Sequence, residues 1–472
     1  MRLYITTTIP YVNADPHLGT ALEFVHADII ARYKRLAGYE VFFNTGTDEH
    51  GQKILEKAIS AGTEPNIYVD RYAARFKAFA DRLNISYTNF IRTTDSKHKA
   101  AAQEFWRRCD AAGDIYKKFY RVKYCVGCEL EKTDSEIEKG RCPLHPGKDL
   151  EIREEENYFF RLSKYQERLL RLYEERTNLV LPESRLREAR LFVEKGLHDF
   201  SISRVKEKMP WGVEVPGDPE QIMYVWFDAF VNYISTIGWP EDMGTFKKWW
   251  PVVQMAGKDQ VRMQVVMWQA MLFSAGLEPS KQIIIHGFIT SGGQKMSKSV
   301  GNVIDPLVIA DEYGVDALRY YLACRIPPFE DGDFTTDLFR DAYNADLANG
   351  IGNLAARILT MSETHLTEPA KHANKKISDF PEYAAAFHDY DLKKAGEYVW
   401  AMMKKLDERI AETEPFKLIK SDPEKGKALI GELAIALADS AYLLSPLMPE
   451  TAEKILSAIA ANKKPATLFP RK

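Results

Sequence analysis

Two stretches far apart in this chain combine residue types that handle phosphate: Pro10-Tyr11-Val12-Asn13-Ala14-Asp15-Pro16-His17-Leu18-Gly19-Thr20 and Lys295-Met296-Ser297-Lys298-Ser299. A histidine and a glycine that open a helix behind a strand can hold phosphate against backbone N–H groups and the positive helix end, and a later Lys/Ser loop supplies mobile cations. Alone, each stretch has an ordinary reading, a polar turn or a solvated basic run. Together they imply chemistry on ATP.

A second constellation suits a metal. Cys125-Val126-Gly127-Cys128 and Cys142-Pro143-Leu144-His145 are two ligand pairs on tight turns, with a short loop between them. Three thiolates and an imidazole so spaced form the closed tetrahedral set that zinc favours, which makes the site structural and leaves no position for a reactive water. The bland alternative is reduced surface thiols without a metal. Five cysteines in a chain of this length do not make a disulfide scaffold, and Cys109 and Cys324 read as buried thiols.

These residues need elements to position them. Leu3 to Ile9 is β-branched and strand-like, Pro10 and Pro16 break the chain, and Leu18, Leu22, Val25, Ile29, Tyr33 and Leu36 repeat at helical spacing until Gly38. Val41-Phe42-Phe43-Asn44 follows as another strand, so the unit is the βαβ crossover of a parallel Rossmann-like sheet, with ligands at the strand C-termini. His17, Gly19 and Thr20 then share a crevice with Asp48 and His50 of Gly46-Thr47-Asp48-Glu49-His50-Gly51. Helix capping near Gly51 is the alternative reading of Asp48, and an N-cap is the alternative for Asp259 in Gly257-Lys258-Asp259. Ile283-Ile284-Ile285 reads as a buried strand that leads through His286 and the Gly292-Gly293 turn to Lys295 and Lys298. Past about Asp333, the segments 347–361, 391–406 and 427–444 show helical periodicity, and a helical bundle is predicted. Asn349, Asn353 and Arg357 fall on one helix face, by default a solvated one.

Composition excludes several classes. With 472 residues and 45% apolar content the chain can bury roughly two to four domain cores. A net charge of −3 excludes an indiscriminate nucleic-acid binder, so any RNA contact is local. Even the apolar stretch 428–447 carries Glu432 and Asp439, which argues against a membrane span. The first residues run straight into a strand-like sequence, so no signal peptide is expected, and a cytoplasmic enzyme fits.

With its motifs in this order, the chain resembles the class I aminoacyl-tRNA synthetases, and within them the branch that handles methionine. The two opening stretches match the HIGH and KMSKS motifs, and Asp199 to Arg204, Tyr224 to Ala229 and Gly257-Lys258-Asp259 add to the likeness, which spans nearly the whole chain. The resemblance implies an α/β Rossmann-like catalytic domain over 1–115, a connective-peptide insertion with the zinc knuckle over 116–205, and the second catalytic half over 206–290. It places the KMSKS loop and stem-contact region over 291–345 and a helical anticodon-binding domain over 346–472. The insertion is too short for the editing domain of the valyl, leucyl and isoleucyl relatives.

The resemblance also implies roles. His17, Gly19, Thr20, Lys295 and Lys298 would be catalytic, with His17, Gly19, Asp259 and the two lysines on ATP. Ile9, Tyr11, Asp48, Trp226, Ala229, Tyr233 and Gln264 would hold methionine, Asp48 by its amino group and the aromatic wall by its polarizable thioether. Asn353, Arg357 and Phe416 would read unpaired anticodon bases of tRNA(Met). Three positions depart from the family pattern: Thr20 replaces a second histidine, Gln264 a histidine near the substrate sulfur, and Phe416 a tryptophan. The implied reaction forms methionyl-adenylate from methionine and ATP with Mg2+, then acylates the terminal ribose of the tRNA. A monomer with one structural Zn2+ and no membrane partner is expected. Three other readings account for less of the chain: a synthetase for another apolar amino acid, a catalytically silent RNA-binding relative, and a zinc hydrolase.

Overall fold

A computed structural model of the chain describes residues 1–132, 136–296, 303–370 and 375–472. Its centre is a six-stranded sheet in which every pairing is parallel, in the order Asn89–Arg92, Glu40–Thr47, Arg2–Thr6, Val253–Gly257, Gln282–His286, Val180–Leu181. The inner strands are buried, as the β-branched and aromatic runs require. Strand order reverses between Arg2–Thr6 and Val253–Gly257, which leaves a crevice at their C-terminal ends.

The first strand ends at Thr6, short of the Ile9 expected from sequence. Glu23, from the helix Leu18–Leu36, takes the Thr8 N–H at 2.5 Å and the Thr8 hydroxyl at 2.6 Å, and this capture peels the chain off the sheet into the crevice. The helix stops at Leu36, ahead of Gly38.

Between the halves of this sheet lies an antiparallel sheet built on the long pair Ile115–Cys125 and Glu151–Phe160, in register from Ile115 opposite Phe160 to Tyr124 opposite Glu151. Val180–Leu181, within the same stretch of sequence, nevertheless pairs with Gln282–His286 as an edge of the central sheet. So short a strand leaves no periodicity to read.

The last strand, Gly332–Asp333, is followed by helices that include Asn353–His365, Leu392–Thr413, Pro423–Leu444 and Pro449–Ala461. The three expected helical segments fall on these, with one difference. Tyr343–Gly352 is wound as a π-helix and Gly350 leaves helical geometry with ψ −106°, so Asn349 does not continue the α-helical face of Asn353 and Arg357. The bundle packs on the opening helix: Tyr33 stacks on Phe387 with centroids 3.8 Å apart, within a hydrophobic core that runs from Leu3 to Phe469. A second core, around Phe105, Phe227 and Trp268, fills the other side of the sheet. Among the described residues no helix is long and apolar enough to cross a membrane.

Candidate active site

The crevice holds two adjoining cavities. One, of about 460 Å³, is lined by Ile9, Tyr11, Asp48, Trp226, Ala229, Tyr233 and Gln264, which brings together all seven side chains expected around an amino acid. The other, of about 360 Å³, is lined by His17, Gly19, Thr20, Glu23 and His286. Thr8, Pro10, Tyr11 and Asp259 border both.

The first cavity is aromatic on one side and polar at its floor. Tyr11 meets Trp226 edge to face at 6.1 Å. Gln264, 1% exposed, donates from Nε2 to the Tyr233 hydroxyl at 2.8 Å and accepts at Oε1 from Gln254 Nε2 at 2.9 Å, so the glutamine is locked by a partner at each end. Asp48 is buried, and its Oδ1 has no hydrogen-bond partner among the described residues. Burial, then the charges of Asp228 and Glu129, push its carboxyl well above the ordinary carboxylate range. Such a group seeks a cationic ligand. Asp48 does not cap the following helix: Gln52–Ser60 starts from Gly51 without a side-chain cap of its own.

Two histidines fix the neighbouring wall. Asp228 meets His50 Nδ1 at 2.5 Å and His98 Nε2 at 2.8 Å, which ties the loop after Asp48 to the short helix Val225–Phe230 that carries Trp226 and Ala229. Burial alone would raise the Asp228 carboxyl, but the two imidazoles hold it well below the usual range.

In the second cavity, His17 is the N-cap of Leu18–Leu36, and its Nδ1 accepts from Gly19 N at 3.0 Å and Thr20 N at 3.4 Å. The backbone donors expected to hold phosphate are therefore answered by the imidazole itself, and in the neutral ring the proton sits on Nε2. Deeper in, Glu23 accepts from His286 Nε2 at 3.0 Å; burial works against a charged His286, but Glu23 raises its pKa on balance. Asp259 is exposed at the crevice wall, inside the 3₁₀ turn Lys258–Gln260 that starts from Gly257, and so is not an N-cap. Lys295 ends the strand Gln294–Lys295, which pairs with Ile289–Ser291; Lys298 lies outside the described residues.

The knuckle residues converge. The donor atoms of Cys125, Cys128, Cys142 and His145 all lie within 4.8 Å of one another. Cys128 Sγ is 3.5 Å from Cys142 Sγ and 3.3 Å from His145 Nδ1, and Cys125 Sγ is 3.8 Å from that nitrogen. Tetrahedral zinc, with bonds of about 2.0–2.3 Å, spaces its ligand atoms roughly 3.5–3.8 Å apart, so the set fits. A side chain on Gly127 would come within 2.4 Å of the His145 ring, so the glycine is what lets the imidazole close in. Cys128 and His145 also border the larger cavity.

A family model described as tRNA synthetases class I (M) matches residues 3–149 and 144–359. The methionine–tRNA ligase of Thermosynechococcus vestitus is 40% identical over 96% of this chain and 88% of its own, and that of Thermotoga maritima 41% over 99% and 76%. The chain belongs to the class I methionyl-tRNA synthetases. A Mycobacterium tuberculosis methionyl-tRNA synthetase in complex with methionyl-adenylate superposes on all of this chain and 98% of its own, with a TM-score of 0.90 and 37% identity.

Of the three residues expected at the RNA end of a methionyl-tRNA synthetase, Asn353 is exposed at the start of its helix and Arg357 pairs with Asp407 of Leu392–Thr413 at 2.5 Å. Phe416 stands 47% exposed on the separate helix Pro415–Ser421. Sequence reading missed Glu23, His98 and Glu129. Only Glu23 left a local signal, a charge inside the apolar run from Ala21 to Val25.

Proposed function

We infer that this methionyl-tRNA synthetase performs its two steps, methionine activation by ATP and transfer to tRNA, in the two adjoining cavities. The observation that carries the assignment is their adjacency: a buried carboxylate in an aromatic pocket opens directly onto a histidine-capped helix start. Asp48 takes the ammonium of methionine, and Tyr11, Trp226, Ala229 and Tyr233 enclose its side chain over the floor made by Gln264 and the wall at Ile9. This orientation leaves the substrate carboxylate at the shared border, facing the nucleotide.

There a carboxylate oxygen attacks the α-phosphorus of ATP in line and pyrophosphate leaves. No protein nucleophile is needed; positioning and charge stabilisation do the work. His17 donates from Nε2 to the phosphates beside Gly19 and Thr20, Asp259 takes the ribose, and Lys295 and Lys298 stabilise the charge that builds on the leaving group. ATP comes as its Mg2+ complex, which neutralises phosphate charge. Cys125, Cys128, Cys142 and His145 hold one structural zinc. Asn353, Arg357 and Phe416 read the anticodon, Phe416 by stacking. A cytoplasmic monomer completes the reading, with sedimentation as the test of its oligomeric state.

The deciding experiment is ATP–pyrophosphate exchange with methionine and the other apolar amino acids, on wild type and Lys298→Ala. Exchange specific to methionine and lowered about tenfold or more by the substitution is expected, since a group aimed at developing charge contributes on that scale or above. Exchange with leucine or valine instead would overturn the pocket assignment.

A further inference from the structure

Glu129 directly follows the knuckle ligand Cys128, is 1% exposed, and takes a left-handed backbone with φ 51°. The knuckle could close without a charge there, so its burial needs a reason. Each polar end of the residue meets a different segment beside the larger cavity, and two of the partners, Tyr11 and Lys53, line it. Oε1 accepts from the backbone N–H of Lys53 at 3.0 Å, Oε2 accepts from the Tyr11 hydroxyl at 3.3 Å, and the backbone carbonyl accepts from the Tyr224 hydroxyl at 2.6 Å.

These three partners matter for different reasons. Lys53 is the second residue of Gln52–Ser60, the helix whose N-cap, Gly51, has no side chain; Glu129 thus supplies the missing cap from a remote part of the chain. Gly51 itself sits at φ 101°, and a Cβ there would lie 2.8 Å from Glu129 Oε2, so glycine makes room for the carboxylate. Tyr11 forms a wall of the cavity, and the backbone around it pairs with Asp48: Asp48 N donates to Pro10 O at 2.9 Å, and Val12 N to Asp48 O at 3.2 Å. Tyr224 immediately precedes the helix Val225–Phe230 with Trp226 and Ala229.

We infer that Glu129 is a positioning residue that makes the methionine pocket depend on the folded knuckle, because its side chain holds the Tyr11 loop and the start of the helix after Asp48, and its backbone carbonyl holds the entry to the Trp226 helix, in their binding arrangement. The inference rests on the assignment of that cavity to methionine.

The test uses the full chain with three readouts: equilibrium dialysis of radiolabelled methionine, separate kcat and KM values for methionine and ATP in pyrophosphate exchange, and thermal unfolding. Glu129→Ala should raise the methionine Kd and KM about tenfold or more, as loss of charge-assisted hydrogen bonds implies, while kcat and the ATP KM shift less than about twofold. Glu129→Gln keeps an acceptor oxygen for Lys53 and should recover most of the affinity. Removal of metal from folded wild type should weaken methionine binding to a similar degree, and from Glu129→Ala by little more; this arm and the Gln variant decide the matter if the Ala variant does not fold. An unchanged methionine Kd in a folded variant overturns the inference, as does a parallel loss of kcat and both KM values that tracks the fall in melting temperature. If wild type itself binds no methionine, the pocket assignment fails instead.

Discussion

A carboxylate with an unanswered oxygen inside an aromatic wall is a liability to the empty protein and an asset to the complex. Because the folded state raises the Asp48 pKa, its ionisation costs stability, which is greatest below the unfolded value of about 4 and is lost as pH rises through the folded value. Two outcomes follow. Asp48→Asn should raise the melting temperature of the ligand-free chain at neutral pH and abolish detectable methionine binding. In wild type, kcat/KM for methionine should fall as pH drops through a pKa above the ordinary carboxylate range, because the protonated form cannot pair with the substrate ammonium; rates across roughly pH 5–8 would check this against the reference of about 4. The Gln264 floor makes a separate prediction. Gln264→Leu strands the Tyr233 hydroxyl and the Gln254 amide, and should cost about 1–3 kcal/mol in denaturant unfolding. The seven side chains expected around an amino acid could be placed in one cavity because they fall in or beside motifs that carry the family resemblance. Glu129 was not, since its partners at 11, 53 and 224 are joined to it only by the fold.

Among the elements, the knuckle has a geometry that hangs on a single hydrogen atom. With only 2.4 Å available to a Cβ beside the His145 ring, Gly127→Ala should push the imidazole out of the ligand set, and chelator competition should strip zinc from it far faster than from wild type. The packing of Leu392–Thr413 has a similar tight point, where a Cβ at Gly396 would fall 2.4 Å from Cys324 Sγ. Gly396→Ala should destabilise by about 1–3 kcal/mol in thermal unfolding, as overpacking does. The long helices were readable because 3.6-residue periodicity accumulates over many turns. The 3₁₀ turn Lys258–Gln260 and the π-wound segment Tyr343–Gly352 were not: they replace the continuation that such periodicity assumes, and they account in turn for the misplaced cap at Asp259 and the broken face at Asn349.

At the scale of the whole molecule, a buried ion pair ties the opening helix to the bundle. Arg319, fully buried, meets Asp28 of the opening helix at 2.7 Å and donates to the carbonyls of Leu83, Pro446 and Leu447, while Arg32 and Ser86 complete the shell around the aspartate. Replacement of Arg319 by Met would leave the Asp28 charge short of a partner and should cost about 3–5 kcal/mol, seen as a lower transition in calorimetry. Nothing local in the sequence singles out these two charges from the others, so the pair was invisible until the chain was folded.

The opening helix that carries Asp28 has a further consequence. Its 19 residues span about 28 Å at about 1.5 Å per residue, with His17 at the crevice end and Tyr33, near the other end, stacked flat on Phe387 of the bundle. Clamped partway along by Arg319, it has the form of a lever with a fulcrum: a tilt of the bundle at Phe387 would reach the His17 imidazole as a displacement, with no loop between them to absorb it.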